Sequence, residues 1–410
     1  MERMKVAFLT SGISPVPATK GGAVENLIED LLDENEKKHS FDFSVFGLYE
    51  EKAAEQAKKY KNSNFYFVKS PEAVNCFDKA IYWIAKNLLK KTNLISYRCI
   101  LRRLYVMSKF PKILLKNDFD RLVLVTNSTL FFVLKNKKVA KKYEGKTIYY
   151  LHNEVRSLFK CEKEAASIRS LIGISEFVND SFRKQVPTLR KEQCYVLKNG
   201  VDTERFTARN ERKIKEYKNK YGIKDNDFVV IFAGRLVDEK GALETIQAIK
   251  ECKDDHIKLL IVGAGFYSSD IVDDYTLELQ KEAEGIKDRI VFTGYIDYKD
   301  MPSIYQLGNV AVLPSMWEEP AGMTMVEAVV SGLPLITTNS GGIPEYIPAE
   351  LAYMLDRNKD LVKNISQCIL QIKNSVANSA ALNTSKRNKF IEEIGLKKYF
   401  EGFEYVLKEG

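Results

Sequence analysis

The sequence predicts an α/β protein made of two doubly wound, parallel-sheet domains. Short apolar runs that suit buried parallel strands alternate with stretches of helical spacing along most of the chain. The length of 410 residues exceeds one ordinary core, since a domain typically holds about 100 to 200 residues. Residues 309–347 give the most complete unit, in which an apolar strand, a polar loop, a helix and a second strand form a βαβ arrangement.

The first half of the chain carries the pattern of one such domain. The loop after its first apolar run ends in Gly21-Gly22, and helical spacing follows over residues 23–32. Two glycines let a backbone approach a ligand, and N–H groups at a helix start can hold a phosphate oxygen. An ordinary loop turn is the alternative, and a dinucleotide-binding G-x-G-x-x-G is not present here. The predicted strands are residues 5–10, 41–48, 64–68, 121–126, 147–151 and 171–174.

His152 follows directly after the predicted strand at residues 147–151. Open parallel sheets bind their ligands at the carboxyl ends of the strands. A catalytic or orienting role is therefore one interpretation of His152, and ordinary packing of a single histidine is the other.

The Asn199-Gly200 turn and the highly charged residues 209–220 indicate a domain boundary. We place the first domain at residues 1–205 and the second at residues 206–391. Beyond the boundary, strands are predicted at residues 228–233, 258–265, 289–296, 310–313 and 335–338, and late helices at residues 359–373 and 392–408.

Arg235 and Lys240 bracket the loop that follows the first strand of the second domain. Two cations at the end of a strand and the start of a helix can neutralise a diphosphate. Arg does so with two parallel N–H donors, and Lys with a compact positive charge. Solvated loop charges are the alternative interpretation.

Two carboxylates bracket the loop within residues 309–347. Glu319 precedes the helix and Glu327 lies in its first turns, with Ala321 and Gly322 between them. Free N–H groups at the helix start, near Met323 and Thr324, suit a phosphate, while carboxylates suit sugar hydroxyls. Phosphate and polyol together suggest a sugar nucleotide. The alternative is that Thr324 and Glu327 form a T-x-x-E capping box that only starts the helix.

This loop resembles the E-x7-E signature of the family 4 retaining glycosyltransferases. Glu319 and Glu327 lie inside E-P-A-G-M-T-M-V-E-A, which is followed by S-G-L-P-L-I and G-G-I-P-E. G-R-L-x-x-x-K-G at residues 234–241, N-G-V-D at residues 199–202 and the L-H segment at residues 151–152 match the same family. Ala321 departs from it, since the family often has an aromatic residue before the glycine.

The resemblance implies a GT-B fold, in which two Rossmann-like domains face each other across a cleft and the last helix, residues 392–410, crosses back onto the first domain. It implies transfer of a sugar from a nucleoside diphosphate sugar to an acceptor hydroxyl with retention, in cell-surface polysaccharide or glycoconjugate synthesis. No metal and no other cofactor is expected. A sugar-nucleotide epimerase on a similar fold and a non-catalytic sugar-nucleotide-binding protein are the alternatives.

The resemblance also assigns roles to single residues. Arg235 and Lys240 would bind the diphosphate, Glu327 the ribose and Glu319 the donor sugar. The implied catalytic residues are His152, Arg235, Lys240 and Glu319. The implied donor-binding residues are Gly21, Gly22, Arg235, Lys240, Gly294, Tyr295, Glu319, Gly322, Met323, Thr324 and Glu327.

Composition and charge limit the classes of partner that the protein is expected to bind. A formal net charge of +8 favours acidic partners, but no nucleic-acid-binding motif is present. The chain has neither an apolar run of membrane-spanning length nor a signal-peptide core, so a cytoplasmic protein is expected. The six cysteines are scattered without a C-x-x-C pair, so neither a disulfide framework nor a zinc site is predicted.

Residues 71–118 carry ten Lys or Arg against three Asp or Glu. Within them Ile81, Ile84, Ala85, Leu88 and Leu89 are predicted to share one helical face. A basic amphipathic helix of this kind could lie on an anionic membrane and reach a lipid-linked saccharide acceptor, which would place the protein at the inner face of the membrane. The alternative is that the apolar face packs on the sheet and the lysines are only solvated.

Overall fold

The computed structural model describes residues 3–20, 22–89, 99–264, 274–375 and 384–410. The chain divides into two compact domains. The first comprises Met1–Lys198 and Tyr399–Gly410, and the second comprises Asn199–Lys398. In the described residues, no helix combines the length and the apolar character needed to cross a membrane.

The first domain is built on a parallel sheet. Over the described residues this sheet has seven strands in the order β3-β2-β1-β4-β5-β6-β7. The order reverses direction next to β1, as in a doubly wound fold. The strands are β1 (Met4–Leu9), β2 (Phe41–Leu48), β3 (Ser63–Val68), β4 (Arg121–Val125), β5 (Thr147–Leu151), β6 (Ser170–Gly173) and β7 (Cys194–Val196).

Helices connect these strands and cover the sheet. They are α1 (Ala23–Lys38), α2 (Glu51–Ala57), α3 (Glu72–Asn87), α4 (Ile100–Lys116), α5 (Lys137–Lys142), α6 (Glu162–Ala166) and α7 (Glu176–Gln185). Aromatic packing fills the core under β1, where the ring of Phe8 lies 5.0 Å from that of Phe43 and 5.6 Å from that of Phe403. Phe403 comes from the last helix, so the end of the chain is part of this core.

The second domain has its own parallel sheet, of six strands among the residues that are described, in the order β10-β9-β8-β11-β12-β13. Its central strands are continuous buried apolar runs, as expected for a sheet covered on both faces. The strands are β8 (Phe228–Ala233), β9 (Ile257–Val262), β10 (Ile290–Gly294), β11 (Val310–Leu313), β12 (Leu335–Thr338) and β13 (Ala352–Leu355).

The remaining helices follow the same alternation. They are α8 (Thr203–Thr207), α9 (Glu211–Lys220), α10 (Ala242–Cys252), α11 (Asp274–Glu282), α12 (Met301–Tyr305), α13 (Met323–Val330), α14 (Ile343–Tyr346), α15 (Leu361–Asn374), α16 (Thr384–Ile394) and α17 (Leu396–Glu409). The predicted last helix is thus two helices, which separate at Gly395.

The observed division differs from the predicted boundaries at 205/206 and 391/392. Residues just after Asn199 already pair with the second domain, because the Val201 N–H donates to the Ile394 carbonyl at 2.9 Å. At the other end, the chain rejoins the first domain at Tyr399, whose hydroxyl lies 2.7 Å from that of Tyr150.

Candidate active site

The carboxyl ends of the second-domain strands form a tightly packed edge. Gly241, with φ of +75°, ends the loop after β8, and a Cβ there would lie 2.0 Å from the Pro314 carbonyl oxygen after β11. Gly263, with φ of +143°, directly follows β9, and a Cβ there would lie 1.9 Å from the Gly234 carbonyl oxygen. Only glycine fits such contacts, so these glycines bring the strand-end loops together.

Lys240 and Glu319 form an ion pair at this edge. The Lys240 ammonium lies 2.5 Å from Glu319 Oε2, and their side chains are 21% and 12% exposed. The Trp317 indole N–H donates to the same carboxylate oxygen at 2.8 Å. The Lys240 ammonium also lies over the Trp317 ring, 5.3 Å from a ring centroid. The structure therefore joins two of the predicted catalytic residues through a third side chain.

The backbone around Glu319 is held by its neighbouring loops. The Gly342 N–H donates to the Glu319 carbonyl at 2.7 Å, and the Met316 N–H donates to the Glu239 carbonyl at 2.8 Å. A Cβ at Gly341, where φ is +55°, would lie 2.4 Å from the Glu319 carbonyl oxygen. The loops after β8, β11 and β12 thus fix the position of this carboxylate.

Arg235 lies on the same β8 loop and is half-buried. Its guanidinium makes no hydrogen bond or ion pair with any residue in the described part of the chain. The two cations of the loop therefore differ, because Lys240 is neutralised by Glu319 while Arg235 keeps an uncompensated charge.

Helix α13 begins beside the ion pair. Gly322 is its N-cap, with φ of +72°, and no side chain caps its first turn. Met323 and Thr324 are its first residues, so their N–H groups point out of the helix start, where an anion is stabilised. Because Thr324 is not the N-cap, the capping-box interpretation of Thr324 and Glu327 is wrong.

Glu327 is buried, at 6% exposure, and its two carboxylate oxygens are both engaged. The Tyr298 hydroxyl donates to Oε1 at 3.0 Å and the Tyr305 hydroxyl donates to Oε2 at 3.2 Å. Burial raises the pKa of Glu327 to about 7, which these two hydrogen bonds and the charge of Arg205 oppose. With this pKa the group takes up a proton near neutral pH, and in its ionised form it accepts hydrogen bonds with little access to water.

Gly294 and Tyr295 lie where β10 ends. Gly294 has φ of +71°, and its carbonyl accepts a hydrogen bond from the Gly263 N–H at 3.1 Å. Tyr295 is 53% exposed. Three residues further along, Tyr298 reaches Glu327, so this loop and the start of α13 belong to one region of the second domain.

His152 lies at the end of β5 in the first domain and is 4% exposed. Its Nδ1 lies 2.8 Å from the Thr126 hydroxyl, while its Nε2 is buried without a hydrogen-bond partner among the described residues. Burial lowers the pKa of His152 to about 3, so the imidazole is neutral. Thr126 has φ of +64°, which is unusual for a β-branched residue.

Gly22 is the N-cap of α1 and has φ of +127°, with no side-chain cap. A Cβ at Gly22 would lie 2.2 Å from a carboxylate oxygen of Glu25, so that carboxylate lies against the helix start. Burial raises the pKa of Glu25. A phosphate at this position would have to displace the carboxylate. Gly21 lies outside the described residues.

The sequence did not point to three residues that complete this site. Trp317, Tyr298 and Tyr305 bind the two carboxylates, yet each is a lone aromatic residue without a motif of its own. Their partners are between 2 and 29 positions away in the chain. Only the loop position of Trp317, two residues before Glu319, offered a signal.

The chain resembles known proteins in its second domain and in its whole length. Residues 213–387 match the family model of Glycosyl transferases group 1. YtcC of Bacillus subtilis (strain 168), which bears a provisional glycosyltransferase name, is 27% identical over 359 residues, covering 85% of this chain and 78% of YtcC. The UDP-Gal:alpha-D-GlcNAc-diphosphoundecaprenol alpha-1,3-galactosyltransferase of Escherichia coli is 29% identical over 208 residues, covering 50% of this chain and 51% of that enzyme.

A solved structure extends the likeness to the fold of the entire chain. Anabaena HepE in complex with UDP-glucose superimposes with a TM-score of 0.73 at 17% identity, and the match covers 100% of each chain. The fold is thus the GT-B fold of two parallel-sheet α/β domains. The match over residues 213–387, the relatives and this fold thus agree in their likeness to GT-B glycosyltransferases of group 1.

Proposed function

We propose that the protein transfers a sugar from a nucleoside diphosphate sugar to a hydroxyl of a saccharide or lipid-linked saccharide, with retention of anomeric configuration. The observation that carries this proposal is the Lys240–Glu319 pair beside the uncompensated Arg235. The relatives agree with it, since HepE binds UDP-glucose and the E. coli relative acts on a diphosphoundecaprenol-linked sugar. We place the reaction in cell-surface polysaccharide or glycoconjugate synthesis.

The donor diphosphate would bind at the strand-end edge of the second domain. Arg235 supplies one charge, and the N–H groups of Met323 and Thr324 supply neutral donors at the start of α13. Lys240 supplies a second charge when the diphosphate replaces Glu319 as its partner. Each charge-assisted hydrogen bond contributes roughly 1.5 to 3 kcal/mol. The exchange frees Glu319 to accept hydrogen bonds from hydroxyls of the donor sugar.

The ribose would bind at Glu327, whose burial makes it a selective acceptor for two neighbouring hydroxyls. Gly294 and Tyr295 would lie along the base. Tyr298 and Tyr305 now hold both oxygens of Glu327, and each oxygen has a second lone pair for a ribose hydroxyl. These assignments make the second domain the donor-binding domain.

The main catalytic demand is stabilisation of the leaving group. The bond between the anomeric carbon and the diphosphate breaks, a bond to the acceptor oxygen forms, and the acceptor proton is released. Negative charge gathers on the diphosphate, and preorganised cations and N–H groups stabilise it. In this proposal Arg235, Lys240 and α13 do so without a metal ion. His152 acts as a neutral hydrogen-bonding group, because burial keeps it unprotonated.

A transfer assay with product analysis tests the proposal. Nucleoside diphosphate sugars are incubated with the protein and candidate saccharide acceptors, with and without a chelator, and the product anomer is assigned by NMR. Transfer with retained configuration that the chelator does not affect is expected. Conversion of the donor sugar without any acceptor would instead indicate the epimerase, and tight donor binding with no turnover would indicate the non-catalytic binding protein.

A further inference from the structure

Helix α3 of the first domain carries an exposed apolar stripe. Ala73, Phe77, Ala80, Ile84 and Leu88 follow each other at steps of three or four residues, so they share one face of the helix. All five are exposed, and the values for Phe77, Ile84 and Leu88 are 64%, 42% and 70%. Three large apolar side chains exposed along one face of a helix exceed the singly scattered exposed residues that are normal on a soluble protein.

This stripe is not the face that the sequence predicted. The predicted face of Ile81, Ile84, Ala85, Leu88 and Leu89 is split by the structure. Ala85 is buried and Ile81 is half-buried, whereas Ile84, Leu88 and Leu89 are exposed. The interpretation that the whole face packs on the protein is therefore wrong for its outer half.

A buried carboxylate fixes which side of α3 faces the protein. Asp78 accepts hydrogen bonds from the backbone N–H groups of Leu101 and Arg102, at 2.8 and 2.9 Å. Leu101 and Arg102 follow Ile100 in the first turn of α4, so Asp78 satisfies N–H groups at the start of that helix and ties α3 to it. The stripe lies on a different side of α3 and is left to solvent.

The exposed side of α4 is basic and apolar. Lys109, Lys112 and Lys116 are exposed there, next to Leu104 and Leu115, which are 40% and 37% exposed. The sequence of α4, ILRRLYVMSKFPKILLK, contains five cations and no acidic residue.

Helix α3, which packs against α4, carries an exposed aromatic residue and further exposed cations. Trp83 is 58% exposed, and Lys79 and Lys86 are exposed along the same helix. Glu72, at the first position of α3, is the exposed acidic residue of this helix. The two helices together thus present large apolar side chains among an excess of positive charge.

We propose that this α3–α4 surface, defined by Phe77, Trp83, Leu88, Lys112 and Lys116, binds an anionic lipid membrane. Exposed apolar side chains can enter the boundary between headgroups and acyl chains, while lysines attract anionic headgroups. Tryptophan prefers that boundary. A second copy of the chain is a poorer occupant, because it would bring two basic surfaces together. The proposal goes beyond sugar transfer and does not depend on it.

Vesicle co-sedimentation tests the proposal. The full chain is mixed with vesicles of phosphatidylcholine alone, or of equal parts phosphatidylcholine and phosphatidylglycerol. Sedimentation with the anionic vesicles is expected, and it weakens as salt is added. Replacing Phe77, Trp83 and Leu88 together with Ser should lower the partition coefficient roughly tenfold or more. Replacing Lys112 and Lys116 with Glu should lower it by a similar factor.

Matched variants in the second domain serve as controls. Leu277 is 54% exposed, and Leu277→Ser should leave partition unchanged. Lys215→Glu with Lys281→Glu makes the same change in net charge at two exposed sites and should also leave it nearly unchanged. Circular dichroism melts confirm that every variant folds.

Several results would overturn the proposal. They are equal binding to both kinds of vesicle, no binding to either, or α3–α4 variants that bind as the wild type does. Sedimentation velocity provides a further check. If the wild type is a dimer that does not bind vesicles, and the serine variant is a monomer, a second copy of the chain covers the stripe.

Discussion

The ammonium group of Lys240 lies 2.5 Å from Glu319 Oε2, on an oxygen that also accepts the indole N–H of Trp317. The cation that the proposed diphosphate needs is thus paired with Glu319 in this structure. Both side chains are mostly buried, so removing one partner leaves the other charge poorly solvated. The pair links donor binding to the release of Glu319, and this link can be tested by changing each partner alone.

Changing Lys240 and Glu319 should have opposite effects on nucleoside diphosphate binding. Lys240→Met removes a cation from the diphosphate site and should weaken binding about tenfold to a hundredfold, the equivalent of roughly 1.5 to 3 kcal/mol. Glu319→Gln removes the competing anion and should tighten it, while sharply lowering sugar transfer. Calorimetry with UDP, GDP, ADP and dTDP measures the binding of each nucleotide to both variants. The variant Lys287→Met, at an exposed site, is the control. Weaker binding by both variants would contradict the exchange of partners.

Glu327 should make stability fall as pH rises. Its pKa is about 7 in the folded protein against 4.5 unfolded, so between these values the unfolded chain ionises more readily. Below about pH 4.5 the protonated Glu327 contributes on the order of 3 kcal/mol to the free energy of unfolding, and this contribution is lost as the pH rises from about 4.5 to about 7. The thermal midpoint of Glu327→Gln, relative to wild type, should therefore rise over this window. A difference that stays constant with pH would show that Glu327 ionises normally.

His152 should produce the opposite dependence. Its pKa is about 3 in the folded protein against 6.5 unfolded, so its contribution is present above pH 6.5 and is lost as pH falls toward 3. The loss at about pH 5 is about 2 kcal/mol. The midpoint of His152→Gln, relative to wild type, should rise as pH falls from about 7 to about 5. The exposed His256→Gln is the matched control, and equal behaviour of the two variants would refute a buried neutral His152.

Sequence patterns predicted the centre of each sheet better than its edges. The runs that form β8 and β11 were placed at their observed bounds, because a central parallel strand is continuously apolar. β7 and β13 were missed, since they are edge strands of only three and four partly exposed residues, whereas the longer edge strands β3 and β10 were predicted. A short strand with one neighbour leaves little periodicity to detect.

The site shows the same limit at the level of single residues. Each predicted second-domain residue lies at a strand end, in the loop after it or in the helix that follows, and local patterns reveal these elements. The pairing of Lys240 with Glu319 joins residues 79 positions apart, and it depends on Gly241 and Gly341 packing against backbone. The capping-box interpretation was wrong because Gly322, in a left-handed conformation, is the N-cap of α13, so the helix begins before Thr324. Sequence spacing does not contain these contacts.

Gly241→Ala should destabilise the second domain and weaken donor binding. A Cβ there would lie 2.0 Å from the Pro314 carbonyl oxygen, so the loop that carries Lys240 must move. Gly222→Ala is the control, since Gly222 has a similar φ of +62° but no atom within 4 Å of its Cβ. The control should cost about 1 to 2 kcal/mol for backbone strain alone, and Gly241→Ala should cost about 1 to 3 kcal/mol more. Equal thermal midpoints for the two variants would contradict the close contact.

The most direct test of the account is a thermal-shift screen against UDP, GDP, ADP and dTDP sugars without added metal, run on wild type and on Lys240→Met. A donor present at about 100 times its dissociation constant should stabilise the wild type by about 2.7 kcal/mol. We expect one nucleotide class to raise the wild-type midpoint, and Lys240→Met to lose most of that shift. If no donor shifts the wild type, or if Lys240→Met responds as the wild type does, the nucleoside diphosphate site is not where we place it.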